Sequence, residues 1–385
     1  MSRELDGALP YRYLDFARAG LMGEETVSAI TQHLHNEAQW GHRQASASVK
    51  ARMRSLYGLI GELLRVEPEE VALFESASMA WNAVLGSLGV SRGDTVVTLA
   101  SEFGTNLLAL RLLTNSSGAR LCVADCGTDG SVDLDQLASL IQEQRPRLVA
   151  LSHVAAPGSI LNPVEEIGHL CRENGALYVI DGAQAVGQIP VDLSRIECDA
   201  YTATGRKWLN GPQGIGFAVV REAARFAPPF VDLSTSEFAP WLEGAQPIPF
   251  IGTARRFQMR ERSVALLMGL HAALSSFDPG GLSAEDDLGS GTLRFWIDNH
   301  SDLELVGKVT SPIRSVGFYA RSAELTEAID RSLAGAELIY SKLGRVHAPL
   351  FFTEQVEQVF RMSPNAQTPH ESLEVVAGCL REVLS

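Results

Sequence analysis

Between residues 22 and 258 the chain alternates short apolar runs with longer stretches whose apolar positions recur every three or four residues. The runs at 95–100, 120–124, 148–153, 177–181, 199–203 and 214–220 are short and apolar throughout, which predicts strands buried on both faces. The stretches near 106–114, 133–143 and 163–174 carry the helical period. Alternation with crossovers of this length predicts an α/β fold, a mostly parallel sheet with helices on both faces. Ligands of such sheets sit beyond the carboxyl ends of the strands, where Glu102 and Asp181 fall. Residues 228–252 are rich in Pro, Ser, Phe and Trp and lack a period, which predicts a loop over the site. A helix over 262–277 leads through Asp278-Pro279-Gly280-Gly281 into a second region. Strands near 303–309 and 316–320 and helices near 323–333 and 369–384 are expected there. The division that follows is an N-terminal segment 1–21, a large domain 22–262 and a smaller α+β C-terminal domain 263–385.

Composition narrows the partners more than the fold. A net charge of −14 disfavours nucleic acid and anionic membrane surfaces. The opening Met1–Asp6 has no apolar run, and no stretch nears the ~18 apolar residues of a membrane span. The five cysteines are scattered without a CxxC pair and read as reduced thiols of a cytoplasmic protein. The nine histidines show no metal-ligand spacing, so no metal is expected.

The densest chemistry lies between Leu177 and Phe217. Asp181 ends an apolar strand, and a carboxylate there is costly to bury unless a cation meets it. A protonated pyridine nitrogen is such a cation. Gln184 follows three residues on, then Thr204, Arg206 and Lys207, then the Gly-rich turn Gly211-Pro-Gln-Gly214. A lysine desolvated beside Arg206 would have a lowered pKa, suited to attack on a carbonyl. Acid, amide, hydroxyl and lysine in this order are the pattern of a pyridoxal phosphate site. Upstream, Phe74–Asn82 reads as a strand end, small residues and a helix start, an arrangement that admits an anion.

These segments resemble the class V aminotransferase and cysteine desulfurase family, over nearly the whole chain and most strongly from Phe74 to Phe217. The resemblance implies fold type I of pyridoxal phosphate enzymes, with a large sheet of the seven-stranded type. It implies that Ala77, Ser78 and Met79 hold the cofactor phosphate, with Thr204 at the family's serine and Arg206 in place of its histidine. Ser101-Glu-Phe-Gly-Thr-Asn106 is similar to Glu-His-His-x-Asn and puts Phe103 on the cofactor ring. A phenyl ring stacks but does not shuttle protons. Leu151-Ser-His-Val-Ala-Ala-Pro157 is similar to Ser-His-Val-Ser-Asn and makes His153 a cofactor contact. Ala156 replaces the asparagine there, which leaves the ring hydroxyl to Gln184.

Gly252-Thr253 resembles a Gly-Thr whose threonine reaches the neighbouring subunit's phosphate, implying a homodimer with composite sites. Arg361 falls on the arginine that binds the α-carboxylate of an amino-acid substrate. Tyr13–Gly20 resembles a segment beside the substrate and brings Arg18 there. Residues 342–350 contain no cysteine where desulfurases carry their nucleophile; Val346 or His347 stands near that position.

The combination looks most like the C–S lyase and isopenicillin N epimerase-like branch, which includes the ergothioneine-pathway sulfoxide lyase and lincosamide-pathway enzymes. The expectation is a C–S β-lyase acting on a cysteine S-conjugate or its sulfoxide, with Lys207, Asp181 and Arg361 carrying the chemistry. A decarboxylating oxidative deaminase, an epimerase and a cofactor-binding regulator remain as alternatives.

Overall fold

The computed structural model describes residues 12–127, 129–158, 160–236, 249–282, 288–353 and 356–385. Seven short strands form the larger sheet: β1 (Val71–Phe74), β2 (Thr95–Leu99), β3 (Arg120–Ala124), β4 (Leu148–Ser152), β5 (Leu177–Asp181), β6 (Ala200–Thr204) and β7 (Gly216–Val220). Their order is β1-β7-β6-β5-β4-β2-β3. β7 runs antiparallel to both neighbours, and every other pairing is parallel. The carboxyl ends of β1, β2, β4, β5 and β6 therefore share one edge.

Period two decides which face each side chain covers. Leu148, Ala150, Leu177 and Val179 pack with Ala80, Trp81 and Val84 of helix α4 (Ala77–Ser87) and Leu110 of α5 (Gly104–Ser117). Val149, Leu151, Tyr178 and Ile180 pack on the other face with α3 (Lys50–Leu64), α6 (Leu134–Gln144) and α7 (Val164–Glu173). The unbroken apolar runs of the sequence are thus two alternating sets, each with its own layer of helices.

Helix Val264–Ser275 adds Leu267, Met268, Leu270 and Leu274 to that second layer. It thus packs with the large sheet although it follows residue 262. The smaller sheet is antiparallel, ordered β10 (Ser341–Leu343), β11 (Val359–Met362), β9 (Val316–Ala320), β8 (Leu303–Val306). Helices Leu288–Asp298, Ala323–Gly335 and His370–Leu384 contribute Leu293, Ile329, Leu333 and Val376 to its core. Of the loop expected over 228–252, residues 237–248 lie outside the described residues.

The N-terminal segment ties the smaller sheet to the end of β6. Leu14 N donates to Ile339 O and Phe16 N to Ser363 O, while Gly20 N donates to Arg206 O at 2.7 Å. Phe16 and Ala17 then pack on Trp208. Among the described residues, no helix is long and apolar enough to cross a membrane.

Candidate active site

A cavity of about 460 Å³ opens where these strand ends meet the smaller sheet. Asp181, Gln184, Thr204, Arg206, Lys207, Ala77, Ser78, Phe103, Arg18 and Arg361 all line it. His153, Met79 and Thr253 do not line it. The pleat explains His153: Ser152 pairs with Asp181 on the face of α4 and α5, and the next side chain points the other way. His153 lies against Tyr201, Nδ1 to the phenol oxygen at 2.8 Å, and burial lowers its pKa to about 4. It is a neutral core histidine that stands off this cavity. Met79 is well exposed on α4, and Thr253 precedes the short helix Ala254–Phe257.

One end of the cavity is the head of α4. Ser76 caps this helix in extended backbone, its Oγ accepting from Met79 N at 3.1 Å. Gly216 on β7 lets that turn approach: a Cβ there would stand 2.3 Å from the Ser76 carbonyl carbon. The helix N-terminus, the Thr204 hydroxyl and the Arg206 guanidinium meet the same cavity, a donor set that suits a phosphate. Arg206 Nη1 also donates to the Arg18 carbonyl, and burial lowers its pKa.

Deeper in, two carboxylates share one amide. Asn106 Nδ2 donates to Asp181 Oδ2 at 2.7 Å and to Glu102 Oε1 at 2.9 Å. Asp181 Oδ1 accepts from Ala183 N at 2.8 Å. Glu102 accepts from Ser152 N, Ser152 Oγ and Phe103 N, and burial, with Asp181 nearby, pushes its pKa up to about 7. Asp181 is thus braced in the cavity wall with no cationic side chain in ion-pair contact among the described residues. A protonated ring nitrogen would supply one, so the site fits pyridoxal phosphate. Asn106 and Ser76 are site residues whose roles the sequence pattern did not show.

The Lys207 side chain lines the cavity, and its Nζ has no hydrogen bond or ion pair among the described residues. Desolvation by burial lowers its pKa to about 7, against the pull of Asp181 and with the help of Arg206 and Arg361. Burial is the main cause, as expected of a lysine desolvated there, and the Arg206 charge is a smaller one. Gln184 donates from Nε2 to Ala17 O at 2.9 Å and accepts from Trp208 Nε1 at 3.0 Å. One amide proton is left for a ligand oxygen.

The opposite wall comes from the smaller sheet. β10 and β11 pair Ser341 with Arg361. Arg361 Nη1 donates to Ala156 O at 2.9 Å and Nη2 to Ser341 Oγ at 3.1 Å, while Asp15 Oδ1 lies 3.8 Å away. Its Nε is buried without a partner, and burial lowers its pKa to about 10. A guanidinium half-satisfied in this way can take a carboxylate. Ser341, Lys342 and Leu343 also line this wall, as does His347. None of the five cysteines lines the cavity.

An aminotransferase class-V family profile matches residues 12–368. The cysteine desulfurase of Enterobacter sp. (strain 638) is 29% identical over 311 residues, covering 77% of this chain and 73% of that protein. The cysteine desulfurase of Escherichia coli (strain K12 / DH10B) is 29% identical over 299 residues, covering 74% of this chain and 70% of that one. Among solved structures, apo cysteine desulfurase from Thermococcus onnurineus NA1 superposes with a TM-score of 0.83 at 20% identity, over 97% of this chain and 94% of its own. The cystine C–S lyase C-DES, in complex with cysteine persulfide, gives 0.83 at 20% identity, over 96% and 97%. These structures share the fold. The chain belongs to the aminotransferase class-V family, whose cofactor is pyridoxal 5′-phosphate.

Proposed function

We propose that the protein is a carbon–sulfur β-lyase that cleaves a cysteine S-conjugate, or its sulfoxide, to a thiol or sulfenate, pyruvate and ammonia. The observation that carries this reading is a substrate cavity without a thiol. Burial holds Cys171 and Cys198 at about 12, and burial with Asp129 and Asp125 holds Cys126 at about 11. Such cysteines are poor nucleophiles. Sulfur transfer through a protein persulfide therefore has no carrier in the cavity, while cleavage of the substrate's own Cβ–S bond needs none.

Bound, the cofactor supplies an electron sink for negative charge at the substrate Cα. Ser76, Ala77 and Ser78 with the head of α4, Thr204 and Arg206 would hold its phosphate. Asp181, fixed by Asn106 and Ala183 N, would keep a proton on its ring nitrogen. Phe103 would supply an aromatic contact, of a kind worth about 0.5–1.5 kcal/mol beyond burial, and Gln184 would donate to its phenolic oxygen. Arg361 grips the substrate carboxylate and turns the Cα–H bond toward Lys207. With a pKa near 7, Lys207 is suited to take that proton as a general base. Loss of sulfur from Cβ follows. The working unit in this reading is a homodimer, with Thr253 serving the partner's phosphate site. Thr253 standing off its own cavity agrees with that role.

The test is a panel of cysteine S-conjugates and sulfoxides assayed for pyruvate, free thiol and carbon dioxide. Pyruvate and thiol in equal amounts are expected from at least one conjugate. Carbon dioxide with an aldehyde would replace this reading with decarboxylating deamination, and alanine with a protein-bound persulfide would replace it with desulfuration.

A further inference from the structure

We propose that His347 is the acid that protonates the departing sulfur; the proposal rests on the lyase reading above. Of the titratable side chains around the cavity, Asp181, Lys207, Arg206 and Arg361 have tasks, Lys342 Nζ pairs with Asp330 at 2.9 Å, and Arg18 is a guanidinium, a group that does not give up its proton in proteins. His347 is the cavity-lining titratable proton donor left over, and Phe103, which also lines the cavity, exchanges no proton.

The loop that carries His347 is fastened at both ends of the residue. Its carbonyl accepts from Gly104 N at 2.8 Å and its N–H donates to Gly344 O at 2.9 Å. Gly104 has no side chain to spare: a Cβ there would meet the Val346 carbonyl oxygen at 2.1 Å. The imidazole is held just as firmly. Nδ1 lies 3.1 Å from Gly344 N and 3.2 Å from Gly344 O. A bare Nδ1 accepts from the Gly344 N–H, and a protonated Nδ1 donates to the Gly344 carbonyl. One residue's backbone thus satisfies Nδ1 in both protonation states. Nε2 carries the exchangeable proton and has no protein partner among the described residues.

As the Cβ–S bond breaks, its electron pair passes to sulfur. Protonated His347 gives the Nε2 proton to that sulfur, a neutral thiol leaves, and the ring remains neutral with Nδ1–H on the Gly344 carbonyl. Solvent returns the proton before the next turnover. General acids of this kind contribute about 10²- to 10⁴-fold, and the share is largest for the most basic leaving groups.

The experiment compares wild type and His347→Gln with S-ethyl-L-cysteine, a poor leaving group, and S-(4-nitrophenyl)-L-cysteine, a good one. The expected loss in kcat/KM is about 100-fold or more for the ethyl conjugate and under about 5-fold for the nitrophenyl one. A loss equal for both, or no loss, overturns the proposal, because a residue that only shapes the loop does not sense the leaving group. Nitrogen NMR of the cofactor-free protein, assigned with the same variant, should show His347 Nδ1 hydrogen-bonded to Gly344, and an Nδ1 open to solvent also overturns the proposal. Should the Gln variant not fold, His347→Asn takes its place. Wild type that releases no thiol from either conjugate while making carbon dioxide or alanine overturns the lyase reading itself. That result is distinct from failure of the His347 proposal alone.

Discussion

At the scale of single residues, the site is governed by what burial does to charge. Lys207 is held near pKa 7 mainly by desolvation, so the cofactor-free fold binds fewer protons there than the unfolded chain between about pH 7 and the ordinary lysine range. Stability then rises with pH across that window, and the cost of keeping the ammonium desolvated is fully present below it. Lys207→Met should therefore stabilise the cofactor-free protein most at or below about pH 7, with the gain fading by about pH 10. Urea unfolding of both proteins at the two pH values measures this; a gain that grows with pH would contradict it. Arg361→Ala should cut kcat/KM for a cysteine conjugate by about 10- to 150-fold, the worth of a charge-assisted contact of about 1.5–3 kcal/mol. Steady-state kinetics reads that loss, and an unchanged value would remove Arg361 from substrate binding. Asp181, Gln184, Thr204 and Lys207 were legible in the sequence because one strand-turn-strand segment carries them all. Ser341 was not, since only the β10–β11 register, set by long-range pairing, brings it to Arg361.

At the scale of elements, sheet direction and pleat decide which of the expected residues meet. The strands were readable from unbroken apolar runs, and with them the edge where Asp181 and Glu102 end. The side each residue faces depends on which positions meet which helix layer, and two-sided burial hides that in the sequence. That is why His153, one residue past Ser152, ended on the Tyr201 side. Close approach is equally a matter between elements. Gly216→Ala should drive a Cβ into the Ser76–Ala77 backbone and raise the cofactor dissociation constant by about tenfold or more, since the head of α4 must shift. Gly58→Ala, on α3 with nothing within 4 Å, should leave cofactor affinity unchanged and add roughly 0.5–1 kcal/mol of stability. Fluorescence titration of the cofactor-free proteins separates the two; equal affinities for both variants would count against the placement of the phosphate.

At the scale of the whole molecule, the cavity joins the large sheet to the smaller one, and the N-terminal segment bonds to both. The proposed homodimer extends this to a second copy through Thr253. Lys207→Ala and Thr253→Ala proteins, each nearly inactive alone, should regain about one quarter of wild-type activity when unfolded together and refolded as hybrids, because one intact site forms in half of the dimers. A fully active monomer by light scattering would rule the arrangement out. The proposed lyase would break carbon–sulfur bonds without a protein thiol. The most direct measurement is turnover of a cysteine S-conjugate by the chain with Cys122, Cys126, Cys171, Cys198 and Cys379 all replaced by Ser or Ala, folding verified by circular dichroism. Pyruvate and thiol in equal amounts are expected, at a rate within about threefold of wild type. A folded, cofactor-loaded variant that releases no thiol, beside a wild type that forms alanine and a protein-bound persulfide, would contradict it.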